Sequence, residues 1–120
     1  MDDRAVAVVG MACRVPGADD IHAFWRLLHN GEDAITEAPA DRRYDVPELA
    51  PFRRGGFLDR VADFDAGFFG ISPREAAAMD PRQRMVLELS WDALEDAYLP
   101  PDSLHGSATA VFLGATGDDY

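Results

Sequence analysis

Residues 68–95 read FFGISPREAAAMDPRQRMVLELSWDALE, two helix starts set in front of one long apolar helix. Ser72, Pro73 and Glu75 have the spacing of a capping box: the Ser72 hydroxyl accepts from the backbone N–H of Glu75, whose carboxylate reaches back to the Ser72 N–H. Pro73 falls at the first helical position, where its missing donor costs nothing. The device recurs with Asp80 as cap, Pro81 at the first helical position and Gln83 as returning partner. The pattern therefore predicts a short helix over 73–78 and a long one over 81–97. In the long helix Val86, Leu87, Leu89, Trp91, Ala93, Leu94 and Ala97 cover more than one stripe, leaving Arg84, Glu88, Asp92 and Glu95 as a thin polar strip. Such a helix is expected to be buried on two sides, and it organises a core without supplying reactive groups.

Upstream, Ala5 to Ala12 form a nearly continuous apolar run rich in valine, the pattern of a central parallel strand covered on both faces. Arg14 to Gly17 supply turn residues. Asp19 or Asp20 then caps a helix over 21–30, IHAFWRLLHN, which Gly31 ends in the left-handed conformation. Ile21, Phe24, Trp25 and Leu28 give it one apolar face. His22 and His29 lie ~10.5 Å apart along its axis, too far to share one zinc ion. From Asp33 to Arg54 no period is sustained, and Pro39, Pro47 and Pro51 point to an irregular surface excursion that ends at Gly55 and Gly56. The pairs Arg42 with Arg43 and Arg53 with Arg54 read either as a local cationic patch or as solvated loop charges.

Downstream, LPPDSLHGS (99–107) is a connector and TAVFLG (109–114) a second buried strand. Strands 5–12 and 109–114, joined through the helices, are expected to pair in parallel with a right-handed crossover. In open parallel sheets chemistry sits at the carboxyl ends of strands. The last residues, GATGDDY, lie at such an end.

The chain has 120 residues, enough for one small domain that buries ~65% of its unfolded surface. Its hydrophobic content of 48% is that of a globular protein. No apolar run approaches the ~20 residues of a bilayer span, and the N-terminus lacks the features of a secretory signal. Cytoplasmic residence is the expectation. Twenty-two acidic against eleven basic residues give a net charge of −11, which repels nucleic-acid phosphates and anionic membranes. Every basic residue is arginine, a pattern of coding bias or of forked anion binding. Cys13, the single cysteine, excludes an internal disulfide. It follows an apolar strand with no helix start behind it to activate the thiol, and free cysteine is more often buried than reactive. No dinucleotide fingerprint, Walker loop, CxxC pair, HExxH or nucleophile elbow is present. No residue is nominated as catalytic, cofactor-binding or metal-ligating.

Four blocks, VVGMACRVPGA (8–18), FWRLLHNGEDAI (24–35), RGGFLDRVADFDAGFFGISPREAAAMDPRQRMVLELSWDALEDA (54–97) and AVFLGATGDDY (110–120), closely resemble the N-terminal part of β-ketoacyl synthase domains of modular type I polyketide synthases. The resemblance runs over nearly the whole chain in unbroken order. It implies an α/β, thiolase-like layered fold, of which residues 1–120 form a partial ketosynthase N-terminal domain truncated before the nucleophile segment. It also implies decarboxylative Claisen condensation of acyl and malonyl-type thioesters, with phosphopantetheine presented by an acyl carrier protein as the only prosthetic group concerned. The implied partners are the carrier protein, the remainder of the ketosynthase and, for the whole domain, a second copy.

In that family the nucleophile lies in a Thr-Ala-Cys-Ser-Ser type segment and two histidines in His-Gly-Thr and Gly-His type segments; none occurs here. Cys13 falls in the GMACR block, and His22, His29 and His105 match neither histidine motif. The chain alone is therefore expected to be inactive. The alternative is a non-catalytic binding or scaffold module contacting carrier protein or synthase subunits. Two departures from the family pattern stand out: a shortened stretch between Tyr44 and Gly55, and Tyr98 where the family tends to carry glycine after the long helix.

Overall fold

The computed structural model describes residues 5–40 and 53–116. It divides into two units, Ala12–Phe64 and the combination of Met1–Met11 with Asp65–Tyr120.

In the unit Ala12–Phe64, helix α1 spans Ile21–Asn30, the predicted range. Asp20, in extended conformation, caps it by accepting from the Ala23 N–H at 2.7 Å. Gly31, at φ 64°, ends it, with the Gly31 N–H on Leu28 O at 3.2 Å and the Glu32 N–H on Leu27 O at 3.1 Å. The expected apolar face is only partly covered: Phe24 and Leu27 are half-buried, whereas Trp25 and Leu28 stay more than half exposed.

The excursion from Asp33 to Arg54 is more regular than its sequence predicts. Strand β1 (Ile35–Glu37) pairs antiparallel with β2 (Arg54–Gly56), Ile35 opposite Gly56 and Glu37 opposite Arg54. The Ala38 N–H extends the ladder to Arg53 O. Three-residue strands are too short to show a period of two, which is why the sequence conceals them. The pair Arg42 and Arg43, with Pro47, Pro51 and most of the shortened stretch, lies outside the described residues.

Ala18 is the one buried apolar residue among those described, 4% exposed, and lies in a turn closed by mutual Val15–Ala18 backbone bonds of 2.9 Å. Gly17 in that turn has φ 78°, and an added Cβ would lie 2.9 Å from Leu27 Cδ1. Arg60 approaches Asp19 and Asp63 at 3.8 Å each, exposed pairs that contribute little.

In the other unit, α2 (Pro73–Ala78) and α3 (Pro81–Asp96) appear in the predicted order, followed by a 3₁₀ turn at Pro101–Leu104. Ser72 Oγ accepts from the Glu75 N–H at 3.3 Å. The reciprocal bond from the Glu75 carboxylate is not formed, so the predicted box is half realised. Upstream, Asp65 Oδ1 accepts from the Phe68 N–H and the Ile71 N–H donates to Ala66 O, a compact turn that presents Phe68 to α3. The Phe68 ring meets Trp91 edge to face with centroids 4.6 Å apart.

Three expectations are corrected. Residues 5–12 and 109–114 form no strand, and the single sheet among the described residues is the antiparallel β1–β2 pair, not a parallel one. An apolar run records that both faces of a segment suit burial; a strand also needs a hydrogen-bonded neighbour, and no ladder reaches either segment. Val6 and Phe112 are accordingly 92% and 91% exposed. The third correction concerns α3, which has no fully buried residue; most of its side chains are half-buried. What covers two sides of such a helix in a complete core is not supplied by these residues.

The end of α3 follows the family departure noted at Tyr98. Ala97 is the C-cap and Tyr98 adopts φ 55°, the one positive φ on a non-glycine residue among those described. The Tyr98 N–H donates to Glu95 O and the Leu99 N–H to Leu94 O, each at 2.9 Å, the paired bonds of a Schellman motif. A side chain in this region costs on the order of 1 kcal/mol that glycine does not incur. Tyr98→Gly should therefore raise stability by about 1 kcal/mol, less a few tenths for the freer unfolded backbone. Urea midpoints of the two chains measure it, and an unchanged or lower midpoint counts against strain at this position.

Candidate interaction surface

The long-helix start is built differently from its sequence pattern. Asp80 caps α3 by accepting from the Arg82 N–H at 2.7 Å. No bond returns from Gln83 to the Asp80 N–H; the Arg82 side chain instead engages the Asp80 carboxylate. Arg82 Nε lies 3.2 and 3.1 Å from the two Asp80 carboxylate oxygens, and Nη2 donates to Oδ2 at 2.7 Å. The remaining branch, Nη1, donates to the carbonyl of Thr116 at 3.1 Å. The Arg82 side chain and its backbone N–H both stabilise the ionised form, holding the Asp80 carboxyl below its ordinary value. At the start of α1 the backbone N–H of Ala23 does the same for Asp20. Capping aspartates beside positive helix ends behave this way. The clamp was legible in principle, since an arginine two places after a capping aspartate offers its carboxylate charge-assisted donors.

At its other end α3 receives the upstream segment. The Met11 N–H donates to Asp96 Oδ2 at 2.9 Å. Gly10 lies so close to the helix that a Cβ there would be 2.3 Å from Ala93 O and 2.8 Å from Ala97 N. Around these anchor points the apolar segments are open: Val6, Val8, Val9, Val111, Phe112 and Leu113 are all 67% exposed or more. Scattered exposed apolar side chains are ordinary, but two uninterrupted runs of them make a surface suited to docking. Arg84 Nε, shielded from solvent with no hydrogen-bond partner among the described residues, is a second unmet need on α3.

No reactive pair assembles among the described residues. Cys13 is a free, half-buried thiol. His22, His29 and His105 are exposed, and His29 stacks on Trp25 with centroids 6.4 Å apart. An open cleft beside α1, lined in part by Val15, Ala18, Asp20 and Leu58, holds neither a thiol nor an imidazole. Among the described residues no His, Cys, Asp and Glu cluster is arranged to hold a metal ion, and no helix is long and apolar enough to cross a membrane.

Capped helices with half-covered faces, beside apolar segments that have no ladder, fit a piece of a layered α/β fold. Residues 3–120 match the family Beta-ketoacyl synthase, N-terminal domain. The chain is 54% identical over 126 residues to polyketide synthase GfsA of Streptomyces halstedii, an alignment covering 98% of this chain and 2% of that protein. It is 58% identical over 116 residues to erythronolide synthase EryA3 of Saccharopolyspora erythraea, covering 96% and 4%. Among solved structures, the ketosynthase from module 6 of the bacillaene synthase of Bacillus subtilis 168 superposes with a TM-score of 0.75 at 38% identity, over 82% of this chain and 18% of that one. The oxazolomycin ketosynthase domain OzmH KS7 of Streptomyces albus JA3453 gives 0.64 at 43% identity, over 74% and 17%. The chain belongs to the β-ketoacyl synthase family, in its N-terminal domain, and has part of the thiolase-like α/β fold of ketosynthase domains. It spans only a small fraction of the length of these relatives.

Proposed function

We propose that residues 1–120 are the N-terminal part of a ketosynthase domain of a modular type I polyketide synthase and contribute scaffold, not reacting groups, to decarboxylative Claisen condensation. The match of residues 3–120 to the family carries this reading. In that reaction an acyl group passes from a carrier-protein phosphopantetheine thioester to a cysteine thiolate, releasing the pantetheine thiol. Loss of carbon dioxide from a malonyl-type extender leaves a carbanion that attacks the acyl thioester and frees the cysteine thiolate. The nucleophile and the histidines that stabilise the developing charge lie outside this chain in the proposal, and no residue of the chain is assigned a catalytic, cofactor-binding or metal-binding role.

The chain's own residues supply two helix starts, fixed by Ser72 and Asp80, and the open apolar surface of 6–9 and 111–113 on which the remaining sheet is laid. Acyl carrier protein, the rest of the ketosynthase and a second copy of the complete domain are the partners in this reading, and the cytoplasm its compartment.

The purified chain should remain unacylated when incubated with a short-chain acyl thioester and analysed by intact mass. An adduct that forms on the chain and disappears in Cys13→Ala overturns the scaffold reading.

A further inference from the structure

We infer that Arg82 is a positioning residue: through Asp80 it fixes where the main chain stands at Thr116, and with it the carboxyl end of the apolar segment 109–116, the end of a segment at which a ketosynthase site would be built. The second half rests on the ketosynthase reading, while the first stands on geometry alone.

A guanidinium offers its donors in a rigid planar fork. Asp80 takes the Nε and Nη2 edge with both carboxylate oxygens, and one of those oxygens also accepts the Arg82 backbone N–H, so the plane of the fork is set from two directions. With that edge engaged, Nη1 projects on the opposite side, where it meets the Thr116 carbonyl, 34 positions along the chain. Between Thr109 and Thr116 no other main-chain hydrogen bond is formed among the described residues. Among the described residues, then, an arginine and not a ladder meets this segment's end. Chemistry in layered α/β folds is placed at the carboxyl ends of such segments, where displacement of about 1 Å carries a large cost in rate. A lysine cannot replace the fork, since one ammonium group does not span a carboxylate and a carbonyl on opposite sides.

The test measures backbone order by ¹⁵N relaxation in the full 120-residue chain and in Arg82→Met, Arg82→Lys and Asp80→Asn. Order parameters at Ala115 and Thr116, near ~0.8 in the parent chain, are expected to fall below ~0.6 in all three variants. Those of Leu87 to Leu94 should stay as they were. Asparagine caps helices as well as aspartate, so loss of order in Asp80→Asn separates the clamp from the cap. Because Arg82, with a smaller contribution from Arg84, depresses the Asp80 carboxyl, the parent chain should keep Thr116 ordered as acid passes the ordinary carboxylate value of 3.8 and release it only below. Unchanged order at Thr116 in Arg82→Met overturns the proposal, as does equal loosening of α3 and Thr116, which a merely structural arginine would produce. Neither result decides the ketosynthase reading, which the acyl-loading measurement tests separately.

Discussion

Replacing Gly10 with alanine is expected to destabilise the chain by about 3 kcal/mol, at the upper end of what overpacking costs. The new methyl would fall on the hydrogen bond between the Ala97 N–H and Ala93 O, 2.8 Å from one atom and 2.3 Å from the other, with Ala97 Cβ at 2.7 Å. All three belong to α3 or its cap, and none is the end of a flexible side chain that can swing aside. The available relief is for residues 5–11 to lift from the helix. That breaks the Met11–Asp96 bond and uncovers Ala93 and Ala97. Urea unfolding gives the loss, and faster hydrogen exchange at Met11 identifies the route. Gly114→Ala is the control, because nothing lies within 4 Å of a Cβ there; its effect should stay within ~0.5 kcal/mol. A Gly10→Ala midpoint equal to that of the control would mean that this contact does not hold the segment.

Trp91→Ala should be the next largest, a loss of about 2 to 3 kcal/mol. Full burial would place a tryptophan truncation at ~3–5 kcal/mol, and Trp91 is only half-buried. The edge-to-face contact with Phe68 restores part of the difference, at ~1 kcal/mol beyond area alone. The ring also donates from Nε1 to Glu95 Oε1 at 3.0 Å, an exposed contact on the helix surface. Trp91→Phe separates the two contributions. It keeps an aromatic ring against Phe68 and removes the indole N–H, so its cost should stay under ~1 kcal/mol. If Trp91→Phe is as damaging as Trp91→Ala, the hydrogen bond to Glu95 and not the ring contact with Phe68 carries the contribution of Trp91.

The helices were readable because their signals are local. Asp20, Ser72 and Asp80 cap as their positions predict, Pro73 and Pro81 fall at first turns, and Gly31 ends α1. Even the unusual backbone of Tyr98 was foreseeable, from a place where the family carries glycine. Non-local features were not readable in this way. Val6 to Val9 and Val111 to Leu113 announce a preference for burial, but a preference does not create the neighbouring strand that would make them a sheet. Ile35 to Glu37 failed in the opposite sense: a partner at Arg54 to Gly56 makes a strand of residues too few to announce one.

The candidate surface was legible only as an expectation of missing neighbours. The clamp of Arg82 on the Asp80 carboxylate depended on charge and reach that a capping pattern does not encode. The absence of the ketosynthase nucleophile and histidine motifs could be read directly from the sequence.

The chain's two tryptophans fall in different units. Trp25, 67% exposed on α1, is expected to emit as a solvated indole open to iodide and acrylamide. Trp91, half-buried and in edge-to-face contact with Phe68, is expected to emit further to the blue and to be less open to quenchers. One sample therefore carries a separate optical reporter for each unit. Unfolding followed by emission colour and by quenching distinguishes a chain that melts in one step from one whose two units melt separately.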